Sequence, residues 1–182
     1  MVDWEKYWGY QCLTNLTGVW DNYSHNWNNV QAAFGSDGRM FLLPYSTDIS
    51  ADHPWYPVEW YGTNFSGNAY IPNACQADVE DCFIPELEYC RDTVIPAFRA
   101  LDVNTTIVDP AWQSMDELGI MRDGDETHYD TVHSFYEETA DRVEAQVQEL
   151  LDCYDVPPRS YGGGGYDTGS YDPCGGSDTG YY

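Results

Sequence analysis

The longest regular pattern of apolar and polar positions lies toward the C-terminal end of the chain. From about Asp130, the residues Val132, Phe135, Tyr136, Ala140, Val143, Val147, Leu150 and Leu151 recur at three- and four-residue spacing, while Glu137, Glu138, Asp141, Glu144 and Gln148 fall opposite them. This predicts an amphipathic helix that lays one stripe on a core and solvates the other, stopped by Pro157-Pro158. A second helix is predicted to open at Pro85-Glu-Leu-Glu88, with proline tolerated in the first turn and acids near its positive end, and to kink or end near Pro96.

Two short runs predict strands. Arg39 to Leu43 follows the turn Ser36-Asp37-Gly38 and is stopped by Pro44, and the β-branched Thr105 to Val108 is closed by Asp109-Pro110. Residues 1–36 carry Trp4, Tyr7, Trp8, Tyr10, Trp20, Tyr23 and Trp27 with no sustained period, which suits packing residues or rings that stack on sugars or partners. Pro54, Pro57, Gly62, Gly67 and Pro72 punctuate the stretch 48–72 and predict long loops. Tyr161 to Tyr182 is rich in Gly, Tyr and Asp and has no aliphatic side chain to bury. The fold class expected is mixed α+β: a folded acidic domain over 1–158, with a long C-terminal amphipathic helix, followed by an irregular Gly/Tyr-rich arm over 159–182.

Composition adds exclusions. The 182 residues fit one domain of ordinary size, and 42% hydrophobic with 16% aromatic residues is enough to build a core. Against 31 Asp and Glu stand 7 Lys and Arg, a formal net charge of −24, and Lys6 is the only lysine. Nucleic-acid backbones and anionic membrane surfaces would be repelled. Acidic surfaces suit Ca²⁺, cationic partners or a simply well-solvated exterior. No run approaches the roughly 20 apolar residues of a membrane helix, and no apolar signal core follows Met1. A secreted chain is therefore expected to have lost its signal peptide from this numbering.

Two features point to the secretory route. The cysteines Cys12, Cys75, Cys82, Cys90, Cys153 and Cys174 are even in number and form no C-x-x-C pair, which favours disulfides over a zinc knuckle and leaves their pairing open. Asn15, Asn22, Asn64 and Asn104 each head an N-x-S/T sequon, where this composition would give about one by chance. An oxidising, glycosylating compartment accounts for both.

Candidate chemistry is sparse. Asp125-Glu-Thr-His128, just ahead of the long helix, and Gly62-Thr-Asn64 upstream resemble the last and the Gly-x-Asn blocks of SGNH-type esterases and acyltransferases. That resemblance implies His128 as base, Asp125 as its orienting acid and Asn64 in an oxyanion hole, while the family's Gly-Asp-Ser nucleophile block is missing. Asp37 to Tyr45 with Trp55-Tyr56 is similar to a segment of extracellular sugar-binding proteins, which implies ring stacking on carbohydrate by Trp55, Tyr56 or Trp60. Asp123, Asp125 and Asp130 have the acid density of a Ca²⁺ loop, but an EF-hand register starting at Asp123 places His128 and Ser134 where Gly and Glu are required. No cofactor is otherwise expected. The leading expectation is a secreted structural or interaction glycoprotein that contacts other protein subunits, self-association included, with the C-terminal arm contributing. An esterase-like domain and a carbohydrate-binding module are the alternatives.

Overall fold

The computed structural model describes residues 1–19, 30–44, 74–75 and 78–154. Helix α1 (Trp4–Thr17) is followed by a hairpin of β1 (Val30–Phe34) and β2 (Met40–Pro44), then by a helical series: α2 (Ile84–Tyr89), α3 (Ile95–Leu101), α4 (Asp109–Glu117) and the 30-residue α5 (Asp125–Tyr154). The mixed α and β class and the long C-terminal helix agree with the sequence pattern. α5 starts at Asp125 rather than near Asp130.

α1 lies where no period was legible, and its burial explains why. Cys12 and Leu16 enter one core with Phe83, Leu87, Cys90, Ile95, Phe98, Ala140, Val143 and Val147, while Tyr7 and Tyr10 enter a second with Leu42, Cys75 and Cys82. A helix buried on two sides carries no single apolar stripe. Gly18 ends it in the left-handed conformation (φ 65°), where the Val19 N–H reaches the Thr14 carbonyl at 3.0 Å.

The hairpin is antiparallel, with Phe34 paired to Met40 and Val30 to Pro44. Its turn is closed by Asp37, which accepts from the Arg39 N–H at 3.0 Å and from Arg39 Nε at 2.6 Å, and by Gly38 at φ 75°. Those two bonds from Arg39, the backbone one foremost, hold the Asp37 carboxyl below its ordinary value. On its other edge β2 is bridged by Val2, with Asp3 N–H donating to the Met40 carbonyl at 2.8 Å.

The run Thr105 to Val108 is not a strand. It belongs to a π-helical turn, Asn104–Val108, one of three such turns with Val79–Phe83 and Cys90–Val94. Each turn ends directly before an X-Pro pair that opens α2, α3 or α4: Ile84-Pro85, Ile95-Pro96 and Asp109-Pro110. In each the X residue donates its N–H five residues back, Ile84 to Val79, Ile95 to Cys90 and Asp109 to Asn104. A proline ring collides with the carbonyl four residues earlier and offers it no N–H. The wider turn relieves that collision, so the helical path continues past Pro96 to Leu101 instead of ending.

Two disulfides fasten this arrangement. Cys12–Cys90 ties α1 to the turn before α3, and Cys75–Cys82 closes a short loop. Cys153 is disulfide-bonded as well, and Cys174 lies outside the described residues. Glu86, fully buried, places Oε2 3.2 Å from the Cys75 sulfur. On the outer face, Arg99 of α3 donates to both Asp141 and Glu144 of α5, the latter at 2.7 Å.

Candidate interaction surface

The residues singled out in the sequence are not gathered into one site. Asp125 stands in the first turn of α5 and its Oδ2 accepts from the Arg122 N–H at 2.7 Å, so its carboxylate is turned back over the helix start. His128 is exposed, and among the described residues nothing bonds it to Asp125 or to a serine. Asp123 and Asp130 are exposed, and among the described residues no three His, Cys, Asp or Glu side chains are placed to hold a metal ion. Trp55, Tyr56, Trp60, Asn22, Asn64 and the rest of the Gly62-Thr-Asn64 block lie outside the described residues. Of the two described sequon asparagines, Asn15 donates Nδ2 to the Gln11 carbonyl at 3.1 Å, and Asn104, 8% exposed, donates Nδ2 to the His133 carbonyl at 2.9 Å.

The structure instead draws attention to a helical arm that the strand expectation at 105–108 hid. α4 contributes no buried residue, and the buried residues of α5 begin only at Phe135. α4 and the first turns of α5 therefore stand outside both cores. Polar and aromatic contacts hold them together: the Trp112 and Tyr129 rings lie 4.7 Å apart, and the Tyr129 hydroxyl donates to Asp109 Oδ1 at 2.9 Å. His133 lies between two carboxylates, with Nδ1 3.2 Å from Glu137 and Nε2 3.7 Å from Asp109. The Asp109 carboxylate beside the Tyr129 hydroxyl raises that phenol above its ordinary value.

The outer surface of this arm is apolar at its end. Leu118 is 72% exposed, Ile120 55% and Ile107 53%. Val108, Trp112 and Met115 at four- and three-residue spacing were the sequence signal for a helix here, masked by the β-branched run before it.

A second concave feature lies between α1 and β2. A groove of about 560 Å³ is walled by Tyr10, Phe41, Leu43, Tyr89 and Tyr136, with Lys6 4.3 Å above the Phe41 ring at one side. That volume is within the range of small-ligand sites, roughly 300–1,000 Å³.

No helix among the described residues is long and apolar enough to cross a membrane. Compared with family models, with curated proteins and with solved structures, the chain matches none of them.

Proposed function

We propose that this chain is a secreted, disulfide-stapled glycoprotein with a structural or interaction role, binding other protein subunits through the arm formed by α4 and the start of α5. The observation that carries the reading is the position of that arm: it supplies no buried residue to either core and presents Leu118 and Ile120 to solvent. Leu118 and Ile120 stand two residues apart, and exposed apolar patches on folded domains mark interaction sites. Disulfides and the sequon excess support the secretory route. In this reading the 159–182 segment adds packing or subunit contacts, and truncation after Arg159 with assembly intact would overturn that part.

The test places a photo-crosslinking benzoylphenylalanine at position 118 of the chain, expressed through a secretory route in its native cells. A discrete protein adduct is expected that disappears with Ile120→Asp while the melting temperature holds. Labelling no stronger than from position 149, at the far end of α5, overturns the reading.

Carbohydrate binding is a second reading, favoured by the aromatic groove between α1 and β2, where the half-buried rings of Tyr89 and Tyr136 are placed to stack on sugar faces. A glycan array on which the parent chain and Tyr89→Ala give the same blank result removes it.

A further inference from the structure

We infer that the arm's partner is a basic amphipathic segment of another protein, an inference that rests on the interaction role proposed above and specifies who occupies that surface. Two properties of the same surface lead there. The first is the apolar end formed by Leu118 and Ile120, with Ile107 exposed at the base of the arm. The second is its rim. Between Ile107 and Asp130 the chain carries Asp109, Asp116, Glu117, Asp123, Asp125, Glu126 and Asp130 against one permanent cation, Arg122.

Three of those carboxylates are committed locally, Asp109 to the Tyr129 hydroxyl, Asp125 to the Arg122 N–H and Glu117 to the Gln113 amide. The remaining four, Asp116, Asp123, Glu126 and Asp130, are in no ion pair among the described residues. The exposed pair Leu118 and Ile120, set among carboxylates that lack ion-pair partners, is the complement of a helix with one apolar stripe and Lys or Arg beside it.

The same charge disfavours the other occupants. A second copy of a chain at −24 would bring the acidic rims together, and repulsion of like charges opposes that contact. An anionic membrane is repelled for the same reason.

The experiment uses the full-length, disulfide-bonded protein and three fluorescent 18-residue model peptides, read by anisotropy. One sets Leu at helical spacing among Lys, one sets Leu identically among Glu, and one keeps the Lys with Ser in place of Leu. The Leu/Lys peptide is expected to bind, at least tenfold more tightly than either of the others, with affinity falling as NaCl rises from 0.05 to 0.5 M. Leu118→Asp with Ile120→Asp should weaken it at least tenfold at unchanged melting temperature, and Asp116→Asn, Glu117→Gln and Asp123→Asn together should flatten the salt dependence.

Binding that ignores the Leu118 and Ile120 substitutions, or equal binding of the Lys/Ser peptide, reveals adhesion to acidic surface in general and overturns the inference. Sedimentation showing a dimer that those substitutions dissolve overturns it in favour of a second copy. A crosslinked protein adduct at position 118 together with indifference to the Leu/Lys peptide keeps the interaction role and discards the basic partner. Absence of both discards the two together.

Discussion

Asn104 heads a sequon, yet it is buried and its Nδ2, the atom a glycan would occupy, donates to the His133 carbonyl across to α5. A glycan on Nδ2 would have to displace this packing. Glycopeptide mapping of the folded secreted chain is expected to find Asn104 bare, and an occupied Asn104 in protein of native stability would contradict the fold around the arm. Removing the bond by Asn104→Ala should cost about 1 kcal/mol in denaturant unfolding. Tyr129 makes a pH-dependent contribution at the same place. Its phenol sits above the ordinary value because it donates to Asp109, so the folded chain holds this proton after the unfolded chain has released it. That stabilisation is complete below the ordinary tyrosine range and is lost as pH rises through the raised value. Urea unfolding of Tyr129→Phe at pH 8 and near pH 10.5 should show a smaller alkaline loss than the parent, and identical slopes would refute the coupling.

At the scale of elements, legibility followed how each segment buries its side chains. The core-facing part of α5 was readable because Phe135, Ala140, Val143 and Val147 bury one face only. β2 was readable from its turn and its apolar run, although Pro44, expected to stop it, is its last residue and pairs with Val30, whereas β1 (Val30–Phe34) carried no strand signal in the sequence. α1 was not, since Tyr7 and Tyr10 face one core while Cys12 and Leu16 face another. Thr105 to Val108 was misread because β-branched residues favour strands locally, while Pro110 needs a wide helical turn ahead of it. The exposed surface of the arm was invisible to a search for catalytic motifs, since its chemistry is apolar contact and charge. This division gives a direct test. Leu87, fully buried on α2, should cost about 3 kcal/mol when changed to Ala, while Leu118→Ala should move stability by no more than about 0.5 kcal/mol. A comparable loss at Leu118 would mean that the arm is part of the core.

For the molecule as a whole, the disulfides govern how far the charge can be tolerated. A chain with 31 acids and 7 bases repels itself when compact, so links that restrict the unfolded state bear directly on whether it folds. Cys12–Cys90 joins residues 78 apart and Cys75–Cys82 residues 7 apart. In the chain-entropy picture the first contributes about 4 kcal/mol and the second about 2 kcal/mol. The Cys12–Cys90 sulfurs lie among apolar side chains, so replacing that pair by alanines isolates the cross-link, whereas at Cys75–Cys82 the buried Glu86 carboxyl loses a neighbour as well. At about 2–4 °C per kcal/mol for a chain of this size, Cys12→Ala with Cys90→Ala should lower the melting temperature by about 10 °C, and Cys75→Ala with Cys82→Ala by about half as much. Raising NaCl should raise the melting temperature of the parent and of both variants alike by screening the acids, because the entropic effect of a cross-link carries no charge. Equal losses from the two pairs would show that local packing around the sulfurs, and not loop length, governs the effect, and losses that change with salt would show that the links act on the charge repulsion itself.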